Sequence, residues 1–199
     1  MGLTEFKFQS DRLSQIFQEL YEDVKGRVSQ PRFEHILSVT RFSASLAHGH
    51  GLSIDHAMIC GILHDYAREM PVKEQFDCLD EEEIDEIMKS NQVLLHAKVA
   101  ANIGKERYGL EQSEVEPVRW HTTGRAEMTD QDLVLFVADY FEPQRPWSTL
   151  KGRELAQSDL KTAAASAMQE KLRFTLGKRK GIHPHSIECW NWLCQYRNI

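Results

Sequence analysis

The sequence is poor in cysteine, and the spacing of the few cysteines excludes two common roles for that residue. The chain contains four of them: Cys60, Cys78, Cys189 and Cys194. None belongs to a C-x-x-C pair, which a zinc knuckle or a dithiol redox motif would need. We therefore expect four free thiols in a reducing compartment.

The sequence also lacks a long apolar segment and a surplus of basic residues. No apolar run approaches the ~18 residues of a transmembrane helix, and residues 1–12 lack the apolar core of a signal peptide. We therefore expect a cytoplasmic protein without a membrane partner. The chain has 24 Lys and Arg against 30 Asp and Glu, a net charge of −6. The surface as a whole has no attraction for nucleic acid, so an anionic substrate would need locally concentrated positive charge.

Helical periodicity runs through almost the whole sequence, and no stretch alternates convincingly over the length of a strand. In the first predicted helix, capped by Ser10, apolar residues such as Leu13, Phe17, Leu20 and Val24 share one face. Further helices are predicted to begin near Pro31, Ser53, Pro71, Leu94, Ser113, Thr129, Asp159 and His185. The expected fold class is all-α, in one domain over residues 1–199 with a core at about 31–145 and a helical appendage at about 146–199.

One predicted helix start rests on a specific pairing of side chains. Ser113 and Glu116 have the S-x-x-E spacing of a capping box, ahead of Pro117 and the run to His121. In that motif the serine hydroxyl accepts from the backbone of the glutamate, and the carboxylate accepts from the backbone of the serine. The sequence therefore predicts a helix whose cap is Ser113.

Six residues with metal-binding side chains stand out on or beside these helices: His35, His64, Asp65, His96, His121 and Asp139. His64 and Asp65 are adjacent and end an apolar helical run, where an imidazole and a carboxylate can converge on one ion. Asp139 lies inside the apolar run 136–141, where a charged group without a cation is unfavourable. Histidine and aspartate suit Fe, Mn and Zn. Six ligands exceed one tetrahedral site, so two metals and phosphoester hydrolysis are indicated.

The motifs around these residues resemble the HD-domain metal phosphohydrolases, and among them the YqeK-type proteins. They read RFEHILSV, GILHDYAREMP, LLHAKVAA, RWHTTG, ADYFEPQR and, in the tail, KGIHPHSIECWNWL. The resemblance covers the chain from about Pro31 onward. It implies an HD-domain helical bundle that hydrolyses diadenosine tetraphosphate symmetrically to two ADP. It also implies two divalent metals, iron first with Mn, Mg or Zn as alternatives, in a cytosolic and often homodimeric protein.

The resemblance further implies how the ligands are shared. One metal would be held by His35, His64, Asp65 and Asp139, and the other by Asp65, His96 and His121, with Asp65 bridging. Asp65 and Arg68 are the expected catalytic residues, where Arg68 replaces the lysine common at that position. The candidates for binding substrate phosphates are Arg68, Lys98, Thr122, Thr123 and Arg145.

Three alternatives to this activity stay open at this point. The chain could be another HD phosphohydrolase that acts on nucleotides or cyclic dinucleotides. It could be an oxygenase, because di-iron sites of histidine and aspartate also activate oxygen. It could be a binding module that holds metal or nucleotide without turnover.

Overall fold

Eleven α-helices, joined by turns and short 3₁₀ segments, make up the computed structural model, which describes residues 7–196. The helices are α1 Asp11–Arg27, α2 Gln30–Gly49, α3 Ile54–Leu63, α4 Val72–Asp77, α5 Glu86–Ser90, α6 Leu95–Tyr108, α7 Gln112–Trp120, α8 Asp130–Phe141, α9 Leu150–Ser158, α10 Leu160–Gly177 and α11 Pro184–Leu193. No β-strand occurs within the described range. The all-α fold expected from the sequence is confirmed.

Most helix ends follow from local side-chain chemistry. The Ser10 hydroxyl accepts from the backbone of Leu13 at the start of α1, and the Ser53 hydroxyl caps α3 in the same way. Thr129 caps α8. Gly109 ends α6 in the left-handed conformation, with φ of 62°, which glycine adopts without steric penalty. The starts at Ser10, Ser53 and Thr129 match the predicted ones.

The capping box predicted at Ser113 and Glu116 is wrong. Helix α7 begins earlier, and its capping box pairs Glu111 with Glu114. The Glu114 carboxylate accepts from the Glu111 backbone at 2.8 Å, so it takes the place assigned to Glu116. The Glu116 carboxylate instead accepts from the indole N–H of Trp120. Two residue pairs with capping-box spacing overlap here, Glu111 with Glu114 and Ser113 with Glu116. The first pair, whose Glu114 carboxylate is buried, forms the cap.

The sequence predicts no separate helix between Pro143 and Asp159, but α9 occupies Leu150–Ser158. It is capped by Thr149, and Ala156 is its one buried residue. A helix with so little buried surface leaves no apolar stripe in the sequence, which is why periodicity does not reveal it.

Helices α2, α3 and α8 form the centre of the molecule, with α1 against α3 and α10 against α8. Helix α10 packs through small buried residues, among them Ala163, Ala164 and Ala167. Helices α2 and α3 approach most closely at Gly61, where a Cβ atom would lie 2.6 Å from the Cα atom of Thr40. Among the helices described, none combines the length and the apolar character needed to cross a bilayer.

Candidate metal centre

The structure brings all six predicted metal ligands to one place between α2, α3, α6, α7 and α8. His35 lies on α2, His64 and Asp65 directly follow α3, His96 lies in the first turn of α6, His121 follows α7, and Asp139 lies in the last turns of α8. The four imidazoles and Asp65 are buried. The helix ends therefore point the ligands inward, as the apolar runs ahead of them indicate.

The ligand atoms form two groups that share Asp65. We call them group A (His35, His64 and Asp65) and group B (Asp65, His96 and His121); within each group the candidate ligand atoms lie within 4.8 Å of one another. Each group has the size of a site for one ion. A carboxylate common to both is the arrangement that a dinuclear centre needs.

The two carboxylate oxygens of Asp65 face different groups. Its Oδ2 atom lies 3.6 Å from His35 Nε2 and 3.5 Å from His64 Nε2. Its Oδ1 atom lies 3.1 Å from His96 Nε2 and 4.0 Å from His121 Nε2. One carboxylate can therefore serve both groups at once.

Asp139 joins group A. Its Oδ1 atom lies 3.3 Å from His35 Nε2 and 3.9 Å from His64 Nε2. The last turns of α8 thus supply a fourth candidate ligand to that group, and the carboxylate has the cationic neighbours Arg145 and Lys171.

All four imidazoles turn the same nitrogen toward the centre because the other nitrogen is occupied. The Nδ1 atoms of His64, His96 and His121 lie 2.6–2.7 Å from the backbone carbonyls three residues earlier in the chain. His35 directs Nδ1 to the Glu142 carboxylate at 3.1 Å. An Nδ1–H donor in each case leaves the Nε2 lone pair directed at the centre, where that of His35 also lies 3.1 Å from Arg145 Nη2.

Two observations show that this donor set fits divalent metal ions. The Nε2 atom of His64 is buried and has no hydrogen-bond partner among the described residues, an unfavourable state for a polar atom. The Nε2 atoms of His96 and His121 lie 3.2 Å apart, and with Nδ1 donating in both rings two lone pairs face each other. A cation between or beside these atoms satisfies both, and imidazole with carboxylate suits Fe, Mn or Zn.

Burial and charge favour the metal-binding protonation states of four of the six candidate ligands. Burial lowers the pKa of His64, and burial with the neighbouring His96 lowers that of His121 well below its usual value. Burial opposes ionisation of Asp65, but His64 and His96 hold the pKa of this carboxyl well below its usual range. Asp139 behaves in the same way. The neutral forms of His64 and His121 and the ionised forms of Asp65 and Asp139 are therefore favoured near neutral pH. Burial opposes the charged form of His35 as well, but its hydrogen bonds to Asp139 and Glu142 raise its pKa.

The two ligand groups open into a cavity of about 210 Å³, which we call the central cleft. Four cationic side chains line it: Arg32, Arg68, Arg145 and Lys171. The chain is acidic overall, with a net charge of −6, so these cations form a local exception. Positive charge around a metal-ligand cluster is suited to a phosphorylated ligand.

Two of these cations were not among the predicted site residues. The Arg32 guanidinium donates to Asp65 Oδ2 at 2.7 Å. The Lys171 ammonium donates to the His121 carbonyl at 3.0 Å and lies 3.8 Å from Asp139 Oδ2. Lys171 comes from α10, so the C-terminal helices contribute directly to the cleft.

Three of the five predicted substrate-binding residues line the central cleft, and two do not. Arg68, Thr122 and Arg145 line the central cleft. Thr123 is buried and is not part of that lining. Lys98 also lies outside it, and its ammonium donates to the backbone carbonyl of Glu83.

Arg145 lies directly against ligand atoms of group A. Its Nη2 atom lies 2.7 Å from Asp139 Oδ1 and 3.1 Å from His35 Nε2, and its Nε atom donates to the Asp139 carbonyl at 3.2 Å. Its distance to the Glu142 carboxylate is longer, at 3.9 Å. The guanidinium is therefore held at the edge of the cleft through Asp139.

Glu142, which the sequence analysis did not select, fixes the orientation of His35. Besides His35 it accepts from the Ser38 hydroxyl at 2.6 Å and from the Gln144 backbone at 2.7 Å. It lies three residues after Asp139 and directly follows α8 as its C-cap residue. That spacing is the signal from which it could have been found.

We expect Glu142→Gln to weaken metal binding at group A by about 10- to 100-fold, because a neutral amide orients and polarises His35 less well than a carboxylate. Metal titration against a competing chelator measures the effect. Glu188→Gln is the matched control, since Glu188 accepts from His185 at 2.8 Å on the exposed surface. Equal affinities in the two variants would mean that His35 does not depend on Glu142.

Comparison with known proteins gives one family. The family model for the HD domain matches residues 32–144. Two symmetrical bis(5'-nucleosyl)-tetraphosphatases are similar over 173 residues, 85% of this chain: that of Bacillus subtilis (strain 168) is 30% identical over 93% of its length, and that of Halalkalibacterium halodurans is 31% identical over 92%. A Clostridium acetobutylicum crystal structure, described as a predicted HD superfamily hydrolase involved in NAD metabolism, has a TM-score of 0.85 at 24% identity and covers 91% of this chain and 98% of its own. That likeness shows the fold.

Proposed function

This chain belongs to the HD domain family, and on that premise we propose that it hydrolyses dinucleoside tetraphosphates symmetrically, with diadenosine tetraphosphate as substrate and ADP as product. The relatives named symmetrical bis(5'-nucleosyl)-tetraphosphatase support the substrate class. The observation that carries the proposal is the shared carboxylate of Asp65, which joins two ligand groups at the floor of a cleft lined by four cations.

We propose two divalent cations as cofactors, with iron first. Group A with Asp139 would hold one, and group B would hold the other, with Asp65 common to both. When bound, such ions act as Lewis acids and lower the pKa of water, so that hydroxide is available near neutral pH. The buried, unpartnered Nε2 atom of His64 and the facing Nε2 atoms of His96 and His121 support this assignment.

The proposed reaction consumes one water for each substrate molecule. The water oxygen forms a bond to one of the two central phosphorus atoms. The bond from that phosphorus to the central bridging oxygen breaks, and the bridging oxygen leaves with the second ADP. The two protons of that water pass to solvent or to phosphate oxygens of the products. Because the leaving ADP is stable as an anion, no separate proton donor is required.

The chain's own side chains would position and neutralise the tetraphosphate. Arg68 lines the central cleft without a hydrogen bond or ion pair to any other described side chain. Burial lowers the pKa of this guanidinium, so it loses solvation that phosphate oxygens could replace. Arg32 and Lys171 are already engaged with carboxylate or carbonyl oxygens at the ligand groups. We infer that Arg68 contacts the substrate phosphates directly, with Arg145 opposite.

Product analysis tests the proposal. The metal-loaded protein should convert diadenosine tetraphosphate to ADP alone, and in water enriched in ¹⁸O half of the ADP should carry one label on its terminal phosphate. AMP with ATP would mean attack at an outer phosphorus. Absence of turnover with iron, manganese, magnesium and zinc would favour the binding-module alternative. Equal rates with and without oxygen would argue against the oxygenase.

Arg145→Lys should lower turnover while metal content stays unchanged. Lysine keeps the charge but loses the two-pronged donor that a phosphate can engage. The expected loss is about 1–3 kcal/mol, roughly 10- to 100-fold in kcat. Arg153→Lys is the control, because that guanidinium donates to Ser148 away from the cleft. Normal turnover in Arg145→Lys, with a lowered melting temperature alone, would leave Arg145 with only a structural role.

A further inference from the structure

A second cavity, of about 240 Å³, adjoins the central cleft. The residues that set it apart are Tyr140, Trp147, Glu170 and Phe174, and we call it the aromatic cavity. Both cavities also share part of their lining: Asp139, Arg145 and Lys171. The aromatic cavity therefore lies next to the central cleft, with two cations common to both linings.

Trp147 presents its ring in a fixed orientation although it is half exposed. Its indole N–H donates to the Tyr140 carbonyl at 3.1 Å. The Arg145 guanidinium lies 5.2 Å from the ring centroid, and the Tyr140 ring lies at 6.1 Å. An exposed indole that is held in this way keeps a flat apolar surface ready for a planar ligand, at little further loss of conformational entropy.

Phe174 supplies a second exposed ring on the same wall. It is 66% exposed and lies three residues after Lys171 on α10, which puts both side chains on one helix face. Two exposed aromatic side chains beside a cationic cleft are unusual for a surface that contacts only solvent. They match the composition of sites that stack nucleobases next to a phosphate-binding group.

We propose that the aromatic cavity binds one adenine of the substrate, a role that rests on the proposed function. Arg145 contacts both the Trp147 ring and Asp139. A nucleotide whose phosphates lie against Arg145 and Lys171 therefore has its base beside Trp147. Glu170, on the cavity wall, can accept from the exocyclic amine of adenine.

Binding of two simple probes tests this role without turnover. Trp147→Ala should weaken ADP binding by about 10-fold or more, because base stacking is lost, and should leave the affinity for inorganic pyrophosphate unchanged. Trp147→Phe should restore most of the ADP affinity. Isothermal titration of the metal-loaded protein with each probe provides the measurement, and in kinetics KM should rise more than kcat falls.

Leu176→Ala is the matched control, because Leu176 lies on α10, is 62% exposed and is not part of the aromatic cavity. It should bind ADP as the wild type does. Equal losses for ADP and pyrophosphate in Trp147→Ala would overturn the base-binding role, as would no loss at all. A change of oligomeric state with unchanged ADP affinity would show instead that a second copy covers this face.

The same data separate this inference from the proposed function. If wild-type protein binds ADP through Trp147 but leaves diadenosine tetraphosphate intact, the hydrolase proposal fails and the base site stands. If it hydrolyses the substrate and Trp147→Ala keeps the wild-type KM and ADP affinity, the base site fails alone.

Discussion

Replacing Asp65 with alanine should remove both metal ions and lower hydrolysis by about 10³-fold or more, because the metals supply several kcal/mol of transition-state stabilisation. The reason is the division of its two oxygens between groups A and B. No other described side chain belongs to both groups. Elemental analysis of the purified variant gives the metal content directly.

Asp139→Ala is the comparison that makes the Asp65 result specific. Asp139 lies beside group A alone, so this variant should keep the ion of group B. A melting curve is needed for both variants, since Asp65→Ala also removes the closer carboxylate partner of the Arg32 guanidinium and leaves only Glu69 at 3.8 Å. A folded Asp65→Ala protein that still holds two ions would end the bridging role.

Lys171→Met should lower kcat by about 10²-fold or more while both metals are retained. The side chain is partly buried, its ammonium lies 3.8 Å from Asp139 Oδ2, and it lines both the central cleft and the aromatic cavity. Burial lowers its pKa, whereas Asp139 favours the charged form. A preorganised cation at this position would stabilise negative charge that grows on the phosphates, and removing one such donor typically has an effect of about this size. Methionine keeps the length and apolar stem but removes the charge.

Steady-state kinetics and metal analysis measure the Lys171 effect together. Lys161→Met is the control, since Lys161 lies on the same helix and its ammonium is 4.0 Å from the Tyr196 ring centroid, outside both cavities. Wild-type kcat with a lower melting temperature would mean that Lys171 only ties α10 to the His121 carbonyl.

Three of the candidate ligands could be selected from sequence because each carries its own local signal. His64 and Asp65 follow an apolar helix, and Asp139 interrupts one, so a polar group in an apolar setting marks the site. Arg32 and Lys171 carry no such signal. Each lies on a helix where a basic residue is ordinary, and only packing of that helix against distant elements brings the charge to Asp65 and Asp139.

Lys98 is a predicted substrate-binding residue that the structure places outside the central cleft. It stands two residues after His96, and residues two apart on a helix point about 200° from each other. With His96 directed at the centre, Lys98 points away, and it donates to the Glu83 carbonyl instead. Adjacency in sequence made it a candidate, and helical geometry separates it from the cleft.

The close crossing at Gly61 limits how this protein can be made more stable. Alanine in place of a helical glycine ordinarily stabilises a protein by about 1 kcal/mol. At Gly61 the added methyl would meet the Thr40 backbone, and the Gly61 carbonyl is also the acceptor that orients His64. Gly26, where nothing lies within 4 Å of an added methyl, offers the same gain in α1 without reaching the metal ligands. An engineer should therefore begin with Gly26 and leave Gly61 as it is.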